Sequence, residues 1–212
     1  FDVSIVRMSA DKFETLATDG DVRLGGRDWD EKLVAFAAEQ FQSQHGTDPR
    51  DDPSSLAFLY QACENAKYAL TVRNSTRILV VHDNKRLPVE VTRDQFEQMT
   101  RSLLSRTEIT TELVLESAKM TWDQIDRILL VGGMTRVPAV RNMIQRISGR
   151  EPDVSLSADE VVAHGAAIHG GILLSRGEID PTLEVGALKS WAKFQTIDVN
   201  SHSLGIAVRT QG

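Results

Sequence analysis

The sequence predicts an α/β fold, with strands and amphipathic helices alternating along one chain, and three observations predict it. The first is the stretch Ile128-Leu129-Leu130-Val131-Gly132-Gly133. Four apolar residues read as a strand buried on both faces, as inside a parallel sheet, and two glycines end it where open α/β sheets bind ligands. Pro138 then opens a helix whose Val137, Val140, Ile144 and Ile147 recur at helical spacing and which Gly149 closes. The second observation is a pair of hairpins. Residues 2–9 and 13–18 alternate apolar and polar about Ala10-Asp11-Lys12, and residues 77–81 and 87–91 do so about Asp83-Asn84, with Pro88 marking an edge arm. The third is the helical period of most of the remaining chain.

At 212 residues the chain is either one large domain or a domain with a subdomain inserted, long enough to bury a core. A net charge of −6 argues against a basic nucleic-acid surface, and no apolar run is long enough for a membrane span. No signal peptide precedes the first strand, and a chain opening on Phe1 is expected to have lost its natural start. The single cysteine, Cys63, excludes an internal disulfide and fits a reducing, cytoplasmic compartment; on an apolar helix face it reads as core filler.

Taken in order, Leu24-Gly25-Gly26 is a second glycine pair, before a helix that Asp28 caps with Glu31 and that Trp29, Leu33, Phe36, Ala37 and Phe41 bury. Residues 44–54 read as a surface loop. A helix over residues 55–71 has an apolar side and a polar stripe, Glu64, Lys67, Tyr68 and Thr71, at i, i+3, i+4 and i+7. An acceptor, a cation, a flat ring and a hydroxyl are what hold a nucleoside; they equally suit a solvated helix face. The Gly132-Gly133 turn is open in the same way, because a helix N-terminus there favours anions yet the pair would also simply tighten a turn.

Thr92 and Gln95 form a capping box for a helix running to about Lys119, and Thr121 with Gln124 starts a short turn. Ser157 and Glu160 are expected to cap a helix to about Leu174 whose Ala163, Gly165, Ala166, Ala167, Gly170 and Gly171 would pack closely on a sheet. His164 and His169 lack metal-ligand companions. Residues 194–208 alternate as an extended segment, and Ser201-His202-Ser203 evokes hydrolase residues without a nucleophile elbow around it.

Six ordered motifs resemble the heat-shock-seventy, or DnaK-like, chaperones across nearly the whole chain. Leu129 to Pro138 resembles their adenosine-side signature, and Phe1-Asp2-Val3-Ser4-Ile5 the strand after their second phosphate loop. Gly25-Gly26 with Asp28 and Asp30 resembles a GGxDxD turn, and Ala62-Cys63-Glu64-Asn65-Ala66-Lys67 the nucleoside helix. Asp159-Glu160 with Gly165-Ala166-Ala167 resembles a DEAVAxGAA helix, and Asp198-Val199 with Ser203-Leu204-Gly205-Ile206 the interdomain linker.

The resemblance implies the second lobe of an actin-like ATPase: a mixed sheet packed with helices (residues 1–24 and 100–175), an inserted smaller α+β subdomain (25–99), and linker plus the start of a peptide-binding domain (176–212). It implies ATP or ADP as cofactor, with Gly25, Gly26, Glu64, Lys67, Tyr68, Thr71, Gly132, Gly133, Met134, Arg136 and Asp159 touching the nucleotide. Magnesium, unfolded peptides, a nucleotide-exchange factor and a J-domain co-chaperone would belong to the parent protein. The phosphate loops and catalytic lysine would precede Phe1, so the fragment is expected to have no catalytic residue, no metal ligand and no ATPase activity of its own. Tyr68 stands where the family usually has arginine, Met134 where it has serine, Arg27 where it has a carboxylate, and Ser157-Ala158 where it has Asn-Pro. The alternatives are half of a sugar kinase or filament protein of the actin-like fold, or an interaction lobe without a competent nucleotide site. For the tail, extended pairing of about residues 197–208 is expected, with an edge of this lobe or with a neighbouring copy.

Overall fold

A computed structural model of the chain describes residues 1–180, 182 and 186–200. Contacts divide it into two compact units, one of Phe1, Val22–Ile109 and Asp126–Asp159, the other of Asp2–Asp21, Thr110–Ile125 and Glu160–Gly212.

The first unit is built on an antiparallel hairpin, β3 (Ser75–His82) and β4 (Lys85–Thr92), with Ser75 opposite Thr92 and His82 opposite Lys85. Asp83 and Asn84 turn it with φ of 49° and 56°, the left-handed pair that a two-residue hairpin needs and that Asn and Asp tolerate. Helices α1 (Gly26–His45) and α2 (Pro53–Val72) pack on each other and on this sheet. Their stripes meet Ile78, Val80, Val89 and Val91 in one core with Leu33, Phe41, Leu59, Cys63 and Leu70, all buried. A fully buried side chain such as Phe41 contributes about 1.5–3 kcal/mol by burial alone. Both helices start earlier than their sequence signals. Asp28 lies inside α1: Gly25 has no side chain to offer, and its N–H donates back to Asp28 Oδ2 at 2.7 Å. Pro53 occupies the first turn of α2, and Asp52 accepts from the Ser55 N–H at 2.7 Å.

Helix α3 (Arg93–Ser117) opens on the expected box, the Thr92 N–H donating to Gln95 Oε1 at 2.9 Å and the Gln95 N–H to Thr92 Oγ1 at 3.2 Å. Its Phe96 and Leu103 enter the first core. Helix α4 (Pro138–Ser148) has Pro138 in its first turn and ends at Gly149 as its sequence dictates, burying Met143 and Ile144.

The glycine-run strand is corrected. Residues 128–131 form a single parallel bridge, Leu129 with Asp153, held by the Asp153 N–H to Ile128 O at 2.7 Å and the Leu130 N–H to Asp153 O at 3.2 Å. One face stays open: Leu129 and Val131, two residues apart, are 48% and 38% exposed. The Ser157–Glu160 cap is also corrected. The helix starts at Val161 without a side-chain cap, because Ala158 O accepts from the Gly132 N–H at 3.0 Å and the Asp159 carboxylate takes Arg136, committing that segment to the glycine turn.

In the second unit, β1 (Asp2–Met8) pairs antiparallel with β2 (Lys12–Gly20) through an irregularity between Ile5 and Val6, and β5 (Gln195–Ile197) adds in parallel along Lys12–Glu14. Of the pairing expected over residues 197–208, Ile197 alone falls in β5, which pairs within the chain; residues 201–212, with the Ser-His-Ser run and most of the expected strand, lie outside the described residues. Helix α5 (Val161–Ser175) is not packed along its small residues as expected. Positions 162–169 are exposed, and burial is confined to Gly171 and Ile172, where Trp191 from a 3-10 run (Gly186–Lys193) covers the helix. Among the described residues no helix is long and apolar enough to cross a membrane.

Candidate functional site

The first unit contains a cleft of about 340 Å³, within the size range of small-molecule pockets. One wall is the polar stripe of α2, which carries Glu64, Lys67, Tyr68 and Thr71 into the cleft because their spacing places them on one helix face. A second wall is the first turn of α1, with Gly26, Arg27 and Asp30. The third is the glycine turn, with Gly133, Met134 and Val137. A depression of similar volume, about 330 Å³, lies over α1 and β4 between Phe36 and Glu90. It lacks a buried charge and a glycine turn, so chemistry favours the first cleft.

The floor is an ion pair. Lys67 Nζ donates to Asp30 Oδ2 at 2.8 Å and to the Gly26 carbonyl at 3.2 Å, and the two side chains are only 8% and 11% exposed. Burial raises the Asp30 pKa above the usual carboxylate range, and the hydrogen bond and charge of Lys67 offset part of that rise. The ammonium also lies 5.7 Å from the centre of the Tyr68 ring, which is 53% exposed and offers a face to a ligand. Thr71 Oγ1 is engaged by the Tyr68 carbonyl at 2.8 Å, and Gln61 donates to Glu64 at 3.3 Å. On the rim Arg27 reaches Glu31 at 3.5 Å and the Tyr60 ring at 5.6 Å.

Two glycines shape the cleft for physical reasons. Gly132 sits at φ 91°, which a side chain would strain. A Cβ on Gly26 would lie 3.3 Å from the Met134 thioether and 3.4 Å from Lys67 Nζ, so a side chain there would require those flexible groups to give by a few tenths of an ångström. The turn is tied down by Thr135 Oγ1, which donates to the Gly132 carbonyl at 2.6 Å.

Of the residues singled out from sequence, Gly26, Glu64, Lys67, Tyr68, Thr71, Gly133 and Met134 meet in this cleft. Gly25 and Gly132 stand behind it as helix cap and turn residue. Arg136 and Asp159 form an exposed ion pair beside the glycine turn, with Asp159 Oδ1 at 4.0 Å from the Cβ position of Gly133, and neither lines the cleft. Sequence reasoning named Asp30 in the GGxDxD turn, Val137 on a helix stripe and Arg27 as a departure from the family, but placed none of the three at the site. For Asp30 a signal existed: it falls in helical register with Leu33, Val34, Ala37 and Phe41, so a carboxylate was written into a buried stripe and required a partner. Cys63 is buried beside this pair, and burial pushes its thiol up to about 12, with the Asp30 charge adding to the effect, so it is inert core. Among the described residues no group of three or more His, Cys, Asp or Glu side chains is placed to hold a metal ion.

Comparison with known proteins gives a concordant result. The Hsp70 protein family matches residues 1–211. A curated relative, "Chaperone protein DnaK" of Metamycoplasma hominis, is 40% identical over 214 residues, covering 98% of this chain but 34% of its own length. The chain thus spans about a third of that relative, and with a match from end to end it belongs to the Hsp70 family.

Proposed function

We propose that this chain is the adenosine-binding half of the nucleotide-binding domain of an ATP-driven molecular chaperone. The observation that carries the reading is the convergence of an exposed aromatic face, Tyr68, and a buried ammonium, Lys67, on a glycine turn in one cleft. An aromatic face takes a base, and the ammonium with Glu64 offers polar partners to a sugar. The name of the relative, Chaperone protein DnaK, supports the wider function: a cytoplasmic parent protein would hydrolyse ATP with magnesium to drive binding and release of unfolded peptides, served by a J-domain co-chaperone and a nucleotide-exchange factor. Family membership favours this over a sugar kinase or filament protein. Nothing in the cleft is equipped to stabilise the charge that develops in phosphoryl transfer, which needs several converging donors or a metal. The chain alone is therefore expected to bind adenosine and ADP weakly and with similar affinity, and not to turn over ATP. Calorimetry with each ligand and a phosphate-release assay test this. Millimolar binding that Tyr68→Ala weakens at least about tenfold supports the reading, since base stacking is worth about 1–3 kcal/mol; binding indifferent to Tyr68, or magnesium-dependent turnover, overturns it.

A further inference from the structure

We propose that residues 186–197 are a locked strap: Trp191, seated in the notch that Gly171 leaves on α5, holds β5 on the outer edge of β2, and unseating it frees that edge. Strand β5 is poorly equipped to hold itself. It is three residues long and all three are exposed, so its pairing with Lys12–Glu14 rests on backbone hydrogen bonds, among them the Gln195 N–H to the Asp11 carbonyl at 2.7 Å. Such bonds replace bonds to water at little net gain, and ordering the residues that make them costs entropy. The restraint must come from the chain just before the strand. Part of it is the Phe194 ring, 6.2 Å from the ring of Phe13 on β2.

The rest is built from α5. A Cβ on Gly171 would stand 2.9 Å from one carbon of the Trp191 ring and 3.2 Å from another, so the ring fills the space a side chain would take. The neighbouring Gly170 has open space around it. An interior glycine weakens a helix relative to alanine, and at Gly171 the seated ring is the compensation. A large, stiff ring makes an effective pin. Arg176, at the end of the same helix, clasps the strap beyond the pin. Its side chain is only 23% exposed, and its guanidinium donates from Nη2 to the Phe194 carbonyl, from Nε to the Ala192 carbonyl at 3.5 Å and from Nη1 to Glu178 at 3.3 Å. The Phe194 N–H donates to the Trp191 carbonyl at 3.0 Å, so pin, clasp and strand entry lie within one turn of chain. Moving Trp191 therefore moves Phe194 and the first residue of β5. The outer edge of β2 then presents unpaired backbone groups, a template on which another extended segment adds.

Hydrogen exchange of the Gln195 amide in the full chain is the test, with the amides paired between β1 and β2 as the reference. Trp191→Ala should speed exchange at Gln195 at least about tenfold and the reference less than about twofold. Gly171→Ala, which fills the notch, should do the same, whereas Gly170→Ala should leave Gln195 within about twofold of the parent chain. Because the first two substitutions act through one contact, the double variant Gly171→Ala with Trp191→Ala should exchange like Trp191→Ala alone. Unchanged exchange at Gln195 in Trp191→Ala overturns the proposal, since β5 then holds itself. So does equal behaviour of the two single glycine variants, or additive acceleration in the double variant. Acceleration that spreads equally to the reference amides also overturns it, because it reports loss of the sheet and not release of a strap. Should Gly171→Ala fail to fold, Trp191→Ala removes the ring, leaves the sequence of α5 intact and decides alone.

Discussion

The two hairpins of this chain have the same sequence signature and different environments. In β3–β4 the alternation puts Ile78, Val80, Val89 and Val91 on one face, and α1 and α2 bury all four. In β1–β2 the alternation runs through an irregularity between Ile5 and Val6, and the strands bury only Ala17, while Val6 and Met8 are 46% and 67% exposed. Period two fixes which residues share a face. Whether that face becomes a core depends on what covers it, and the covering helices of β3–β4 are supplied by the chain immediately before it.

The comparison is broken most severely at the ion pair that joins α1 to α2 on the covered side. Lys67→Met leaves the Asp30 carboxylate buried without its partner and is expected to cost about 3–5 kcal/mol at neutral pH. The pH dependence has a definite sign. Burial already raises the Asp30 pKa, and loss of Lys67 raises it further, so the folded form binds a proton more readily than the unfolded form. The cost is therefore incurred above the folded pKa and relieved as the pH falls through it. Denaturant titrations at pH 7 and pH 5 check this: the gap between Lys67→Met and the parent chain should narrow on acidification, and a constant gap would mean that Lys67 contributes packing rather than charge.

The next effect compares the hairpins directly. Ile78→Ala empties a fully buried site and is expected to destabilise by about 2–5 kcal/mol. Val6→Ala, on an open face, should stay within about 0.5 kcal/mol. Hydrogen exchange on the two hairpins separately is the measurement, because two units need not unfold together. Equal effects would show that the β1–β2 face is covered in solution.

What was legible follows the same division. Both hairpins, the α3 capping box and the ends of α4 were legible because each is fixed by residues within a turn of one another. The α2 stripe was legible because i, i+3, i+4, i+7 spacing forces Glu64, Lys67, Tyr68 and Thr71 onto one face, and they do share a cleft. Burial was not legible where it depends on distant chain. The run of residues 128–131 reads as a doubly covered strand, but Leu129 and Val131, which share one face, are exposed. Helix α5 reads as closely packed, yet a glycine-rich surface is an opportunity for contact and not a contact. Asp30 was named in the glycine-turn motif but not placed at the site, for the opposite reason: a carboxylate beside Trp29 in a helix looks solvated until Lys67, 37 residues away, is seen to meet it.

The central claim is that the cleft between α2 and the glycine turn takes the adenosine of a nucleotide. Amide chemical-shift mapping of the chain titrated with adenosine tests it most directly. The account predicts saturable shifts at Gly26, Lys67, Tyr68 and Gly133, weakened at least about tenfold in Tyr68→Ala. Shifts centred on Phe36 and Glu90 over α1 and β4, or none at tens of millimolar ligand, would contradict it.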